Sequence, residues 1–266
     1  MYPFIHIGPL TLGSYGLMVA IGLICGFFIL RADFARRGVS ADAEAIIGIT
    51  GLAGLAGSRL YHLLESPAEF FADPWPQLFS TMGFAFVGAI LGGFIALVIL
   101  AKRFRIPMLL MLDAASPAAA MGYGIGRIGC LISGDGDYGM PTKLPWGMAF
   151  PNGIVPTTQS CVEWGAAPEC RVHPTPIYEF LVAILIFWIL WRIGARALKT
   201  HAPSGIVFAA YLVLTGIARY LVEIIRINPR SFYGLTNAQA ASVVSVLVGM
   251  ALFIYTSKAP RQKIRA

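Results

Sequence analysis

Apolar runs long enough to cross a bilayer recur along this chain, and nothing constrains its fold more. Seven of them lie near residues 14–32, 43–62, 83–101, 108–126, 175–195, 204–223 and 237–256. A helix needs about 20 residues to traverse the hydrocarbon core, and inside it every backbone polar group has to find its partner within the segment. The expectation is therefore an all-α polytopic membrane protein of about seven transmembrane helices, built as a single integral-membrane domain over residues 1–266. Composition agrees, with 57% hydrophobic residues, 12% charged residues and a mean hydropathy of +0.72. Soluble domains carry about twice that charge fraction. The second and fourth runs are rich in Gly and Ala, which suits close helix packing in lipid. The sixth is set apart by Arg219 and Glu223.

Lys and Arg orient the spans. They cluster after the first (Arg31, Arg36, Arg37), third (Lys102, Arg103, Arg105), fifth (Arg192, Arg196, Lys199) and seventh (Lys258, Arg261, Lys263, Arg265), thirteen of the chain's 20 basic residues. These are alternate connections, so the positive-inside bias predicts them all cytoplasmic, with the N-terminus outside and the C-terminus inside. The basic residues left over include Arg59, Arg127, Arg219 and Arg226, within or at the ends of spans. Charge at membrane depth is costly and usually functional. Arg219 and Glu223 are four apart and can meet on one helix face, as can Glu223 and Arg226. Two or three arginines nevertheless exceed what Glu179 and Glu223 can neutralise, which points to a cationic cavity opening outward for an anionic ligand.

The net charge of +7 does not make this a nucleic-acid binder. The basic residues sit between apolar runs, and no basic face interleaved with stacking aromatics is present. Neither a cleavable signal peptide nor an internal repeat or phosphate-binding P-loop is evident. The four Cys and four His show no metal-ligand spacing, so no metal or cofactor is expected. The longest non-spanning piece, about 131–172, is expected to be an extracytoplasmic loop folded over the site. Cys161 and Cys170 both lie in it, and an oxidising compartment makes them disulfide candidates. Cys25 reads as a packing residue, His6, His62 and His201 as solvated edge residues, and Asp113 as an internal cap or ion-pair partner.

One stretch concentrates the chemistry. Gly126–Gly139, GRIGCLISGDGDYG, joins one arginine, two aspartates and five glycines directly to the fourth run. Arg127 falls where a helix is expected to give way to a loop at membrane depth, a good place for a guanidinium to grip a phosphate with two parallel hydrogen bonds.

Taken with four other stretches, this one resembles the prolipoprotein diacylglyceryl transferase family. The family signature centres on an arginine in a Gly-Arg-x-Gly turn, as at Arg127. HPTPIYE (His173–Glu179) resembles its His-Pro-x-x-x-Tyr-Glu helix start, and GIVFAAYLVLTGIARYLVEIIR (Gly205–Arg226) its late helix ending in Arg-aromatic-x-x-Glu-x-x-Arg. SYGLMVAIG (Ser14–Gly22) and GFAFVGAILGG (Gly83–Gly93) are similar to its early Tyr-Gly-Leu motif and its Gly-rich third span. Together they run in order over about residues 6–256. The resemblance implies that phosphatidylglycerol donates its diacylglyceryl group to the lipobox cysteine of a preprolipoprotein, releasing glycerol phosphate, in the bacterial inner membrane with the site open to the extracytoplasmic side. The implied partners are phosphatidylglycerol, the preprolipoprotein signal peptide and membrane lipid. Arg127 and Arg219 match the two essential arginines, Tyr15 the functional tyrosine, Gly139 the loop glycine, and Glu223 and Arg226 the supporting pair. Cys130, Ser133, Asp135, Asp137, His173, Tyr178 and Glu179 complete the expected substrate-binding set.

The chain also departs from the pattern. Val87 stands where the family's third span usually has a histidine, Cys130 and Ser133 where asparagines are expected, and Thr215 where a tyrosine is frequent. Val87 cannot move a proton, so the candidates for accepting the substrate thiol's proton are Asp135, Asp137, His173 and Tyr15. The expected arrangement has no dedicated base: the arginine field lowers the thiol pKa, and a loop carboxylate or water takes the proton. Two other readings stand beside the transferase. One is a non-catalytic lipid or lipoprotein-signal binder, which Val87 favours. The other is a small-anion or lipid transporter, against which the absence of an inverted repeat counts.

Overall fold

The computed structural model describes residues 2–8, 10–65, 67–79 and 85–258. Gly83 and Phe84 of the third-span motif, and the basic residues Arg261, Lys263 and Arg265, lie outside the described residues. The chain divides into two compact units, Leu30–Met111 and a second made of Met1–Ile29 with Leu112–Ala266.

A short antiparallel hairpin opens the chain, β1 (Phe4–Ile7) paired with β2 (Leu10–Gly13) so that Phe4 faces Gly13. The rest is helical: α1 (Ser14–Arg37), α2 (Ala43–Glu65), the single-turn pieces α3 (Pro67–Ala72) and α4 (Pro74–Phe79), α5 (Phe86–Arg103), α6 (Met108–Ser133), α7 (Thr157–Glu163), α8 (Thr175–Lys199), α9 (Ile206–Glu223) and α10 (Asn237–Lys258). Six of these, α1, α5, α6, α8, α9 and α10, are long and apolar enough to cross a membrane. The run near 43–62 forms the 23-residue α2, long enough to span but diluted in hydropathy by its glycines, Arg59 and His62. Large apolar side chains cover the outer faces, among them Leu181, Leu185 and Trp188 on α8 and Val244, Leu247 and Phe253 on α10. The fold is an all-α polytopic membrane protein, with the hairpin as its one small sheet among the described residues.

In the Leu30–Met111 unit, α2 and α5 lie backbone against backbone. A Cβ added to Gly88 or Gly92 would collide with the Gly57 or Ala53 carbonyl, so the small residues of the second and third runs are what allow the contact. Near the end of α1, the fully buried Asp33 pairs with Arg36 and Arg37, one turn further along the same helix.

In the other unit, Ala120, Ile186, Leu190 and Val207 form the core between α6, α8 and α9. Asp113 on α6 accepts from the first free amides of α9, at Gly205 N (2.7 Å) and Phe208 N (2.8 Å). That is the internal cap expected of it, and it satisfies donors every helix start leaves open. α10 packs on α9 through Gly216 and Gly249, with Ser245 Oγ donating to Leu212 O at 3.0 Å.

The 134–172 loop is folded. Tyr138, Phe150, Cys161 and Val172 make a small core of their own, with the Tyr138 and Phe150 rings stacked at 5.1 Å. Cys161 and Cys170 are bridged, their Cα atoms 5.9 Å apart, as their pairing in the sequence anticipated.

Candidate functional site

The helix bearing Arg127 runs further than its sequence predicts. α6 continues through Gly126 and Gly129 to Ser133, so Arg127, Cys130 and Ser133 stand on its last turns rather than in a loop. The physical reason is the environment: glycine costs a helix only about 1 kcal/mol, and in lipid the alternative is an unsatisfied backbone. The turn comes at Gly134, whose N–H closes on Cys130 O. From there the chain doubles back, and Asp135 and Asp137 return beside the end of the helix.

Short backbone pairings hold this return against two other segments. Gly139 N donates to His173 O (2.9 Å), His173 N to Met140 O (3.1 Å) and Met140 N to Ile225 O (2.8 Å). Three remote pieces of sequence, around 139, 173 and 225, are thereby laid side by side. Gly139 is required at the crossing, because a Cβ there would stand 2.6 Å from Ile225 O and 2.9 Å from the His173 Cβ. The Thr175 hydroxyl donates to Asp137 O at 2.6 Å, fixing the backbone of the aspartate itself.

Three arginines and three carboxylates meet at this crossing. Arg127 and Arg226 each pair with a different oxygen of Asp137. Glu179, from the start of α8, takes Arg219 at 2.8 Å and lies 3.5 Å from Arg127 and 3.6 Å from Arg226. Glu223, at the end of α9, takes Arg219 at 3.0 Å and lies 3.8 Å from Arg226. The two pairings expected within the α9 sequence, Arg219–Glu223 and Glu223–Arg226, are thus both made. The expected excess of arginine is not: Asp137 supplies a third anion, and the cluster is balanced at three against three. That anion lies outside the helices, on the loop that folds back beside them.

The remaining candidates fall into two groups. Cys130 and Asp135 adjoin the cluster. Arg127 Nη1 stands 3.9 Å from the Cys130 sulfur, and the ligand atoms of Cys130, Asp135 and Asp137 lie within 4.8 Å of one another. Such a spacing suits a cation, but both Asp137 oxygens face guanidiniums that a cation would have to displace. Tyr15 approaches from α1, where a Cβ on Gly129 would stand 3.1 Å from its ring. His173 and Tyr178 form a neighbouring pair, Nδ1 to Oη at 3.3 Å, and Trp146 Nε1 donates to the same Tyr178 oxygen at 2.8 Å. Ser133 is buried and donates to Cys130 O at 3.2 Å, so its hydroxyl is held by its own helix.

The loop carboxylates differ in their electrostatics. Burial pushes Asp137 up, but Arg226 and Arg127 outweigh it and hold the acid below the usual carboxylate range. Asp135 is raised, by burial first and by the Asp137 charge second. Among the described residues it is the carboxylate of this group with no arginine ion pair.

Three site residues carry no mark in the sequence reading. Tyr123 donates to Glu179 Oε1 and lies under the Arg127 guanidinium, 4.7 Å from ring centroid to Cζ. Its position one turn before Arg127 is a signal available to i,i+4 reasoning. Asn228 donates to Glu223 at 2.5 Å, and Trp146 orders Tyr178. Both come from irregular segments where no periodicity points to them.

This fold is that of a polytopic membrane protein, and three of its arginines and three of its carboxylates converge in one ionic cluster. The prolipoprotein diacylglyceryl transferase family model matches residues 3–255, and the chain belongs to that family. It is 33% identical over 251 residues to the phosphatidylglycerol–prolipoprotein diacylglyceryl transferase of Clostridium tetani, covering 92% of this chain and 93% of that one. To the enzyme of the same name from Geobacter sulfurreducens it is 31% identical over 266 residues, covering 96% and 95%. With the one from Trichormus variabilis it shares 29% over 262 residues, covering 96% and 90%.

Proposed function

We infer that this chain is a membrane transferase that moves the diacylglyceryl group of phosphatidylglycerol to a prolipoprotein. Its family membership and its full-length likeness to transferases of that name support the reaction. The observation that carries the site assignment is the convergence of Arg127, Arg219 and Arg226 on three shared carboxylates, Asp137, Glu179 and Glu223. Six apolar helices agree with a multi-pass protein of a bacterial membrane. We take that membrane to be the cytoplasmic one, with the N-terminus, the 134–172 loop and the site on the extracytoplasmic side, because the Lys/Arg clusters assign the opposite connections to the cytoplasm.

The chemistry follows from the groups. The acceptor is the thiol of the lipobox cysteine in the signal peptide, which attacks as thiolate. Its sulfur forms a bond to the glycerol carbon that carries the phosphate ester, the C–O bond breaks, and glycerol phosphate leaves with an added negative charge. Arg127, Arg219 and Arg226 face that charge, preorganised in a water-poor setting where such contacts count for most. Glu179 and Glu223 keep the guanidiniums aimed, and Tyr15 orients the headgroup from α1. The thiol's proton goes to a loop carboxylate or water. Asp135 is the better placed of the two loop aspartates, since Asp137 is engaged by arginines.

The test is direct. Purified protein in detergent, given labelled phosphatidylglycerol and a lipobox peptide, is expected to yield a thioether-linked diacylglyceryl peptide and glycerol phosphate. Lipid binding without product would instead make this a binding relative, the outcome that Val87 on α5 favours.

A further inference from the structure

We propose that Asp137 is a displaceable counter-anion that occupies the seat of the lipid phosphate until substrate arrives. This rests on the transferase reading only for the identity of the incoming phosphate.

The first observation is the pattern of bonding. Asp137 places one carboxylate oxygen on Arg127, from α6, and the other on Arg226, just beyond α9. Two oxygens of one anion shared between two guanidiniums is also how the non-bridging oxygens of a phosphodiester would sit there. The second is exposure. The Asp137 side chain is 30% exposed, against 3% for Glu179, which also contacts Arg127 and Arg226, and 0% for Glu223, which also contacts Arg226. Of the three anions, Asp137 alone is within reach of an incoming ligand.

The third observation is mechanical. Glu179 and Glu223 stand on helices, whereas Asp137 follows Gly134 and Gly136, both at positive φ (+62° and +93°). Its backbone is nonetheless pinned by Thr175 and by the Gly139–His173 pairing. Exchange therefore asks only for rotation of a short side chain, with the loop staying in place.

The fourth is charge. At rest the cluster is neutral. Once Asp137 swings out, Glu179 and Glu223 still pair with all three arginines, and one net positive charge remains. A phosphodiester carries one negative charge, so the exchange restores neutrality. A site left cationic at rest would bear unpaired charge at membrane depth, which is strongly disfavoured. Asp137 lets the arginines be kept in lipid while no lipid phosphate is bound. It acts on substrate through the arginines and is a positioning residue.

Asp137→Asn keeps the shape and removes the charge. On purified full-length protein in detergent, sn-glycerol 1-phosphate is expected to protect the variant from thermal unfolding at about tenfold lower concentration than wild type, the worth of one competing charge-assisted contact. KM for phosphatidylglycerol in mixed micelles is expected to fall by a similar factor, and the ligand-free variant to unfold at lower temperature than wild type. A permanent strut behaves oppositely: KM and the protective concentration rise or stay level, and that result overturns the proposal. Asp137→Ser, smaller and equally uncharged, is read on the same two scales if the Asn variant does not insert. Tighter glycerol phosphate binding by D137N, with no thioether product from wild type, sinks the transfer reading and leaves the exchange standing. Product from wild type with no tightening in the variant sinks the exchange alone.

Discussion

Asp33 and Asp137 each hold two arginines, the first near the end of α1 and the second in the loop beyond α6. At Asp33 the partners are Arg36 and Arg37, three and four residues along the same helix. The aspartate is fully buried, and the whole arrangement is local. At Asp137 the partners are 10 and 89 residues away, on different elements, and the carboxylate is partly exposed. The same two-to-one chemistry thus serves two ends. Local pairing secures one helix end, and its cost in chain entropy is small because the helix already fixes the spacing. Long-range pairing has to be built by the fold, and here the fold adds Glu179, Glu223, Tyr123 and Asn228 around it. We read the ion cluster assembled from five segments, with Asp137 partly exposed, as a binding site, and the one assembled within two turns as a strut.

Removing an arginine from each cluster is expected to have very different consequences. Arg127→Ala and Arg219→Ala are each expected to abolish turnover, since one charge-assisted phosphate contact is worth about 1.5–3 kcal/mol in ordinary surroundings and more in a dry site. Arg36→Ala is expected to leave kcat/KM within a fewfold of wild type. Membrane insertion, followed by fluorescence-detected gel filtration, separates loss of chemistry from loss of fold. Comparable activity in Arg127→Ala and Arg36→Ala would erase the distinction.

Stability offers the next largest contrast. Glu179 is buried and touches all three arginines, so Glu179→Gln leaves buried cations short of a partner, a defect worth about 3–5 kcal/mol. A fall in the melting temperature of the detergent-solubilised protein is the expected readout. Asp137, held low by its arginines, contributes stability that is fully present above the ordinary aspartate pKa of about 3.9 and is lost as pH falls through its lower folded value. Glu179→Gln melting like wild type at neutral pH would mean the arginines are held by something else.

The outer loop gives a smaller, separable effect. Cys161 shares a small core with Tyr138, next to Asp137, and Val172, next to His173, so the bridge steadies the loop on both sides of the crossing. A bridge closing so short a loop is worth about 2–3 kcal/mol. The double Cys161→Ser, Cys170→Ser variant is expected to lose activity severalfold while keeping the arginine cluster. Alkylation with and without reductant, read by mass spectrometry, checks the bridge itself.

How far the sequence led follows from whether each feature is periodic or assembled. The apolar runs became helices because their length and composition admit little else in a bilayer. Arg219, Glu223 and Arg226 were legible as partners because helical spacing puts them on one face. Asp113 read as a cap or partner because a lone buried carboxylate needs donors. What escaped was non-local or short. FIHI and LTLG are four residues each, too brief for alternation to register as a hairpin. Asp137 finds Arg226 only because residues 139, 173 and 225 are laid side by side, and no spacing in the chain announces that. The continuation of α6 past two glycines was hidden by reading glycine as it behaves in water rather than in lipid.

The smallest effect expected concerns the proton, and it turns on the two loop aspartates that share one stretch but not one environment. Asp137 is held low by arginine, whereas Asp135 is raised by burial and by its neighbour's charge. The groups facing Asp135 are Cys130 and Arg127 from α6, Tyr15 from α1, and Asp137 and Tyr138 from its own loop. A raised carboxylate is ionised, and able to accept a proton, only above its shifted pKa. Wild-type kcat/KM is therefore expected to rise with pH along an acid limb that Asp135 sets. Asp135→Asn should remove that limb and lower the rate by well under the 10²–10⁴ of a positioned base, because water remains as acceptor. Its remaining rate should climb with pH toward the ordinary thiol pKa of about 8.5, as the substrate supplies its own thiolate. A merely structural role for Asp135 would lower the rate equally at every pH. Complete loss of activity with lipid binding intact would make Asp135 a dedicated base, and disappearance of the limb in His173→Gln instead would move the proton's path to the His173–Tyr178 pair.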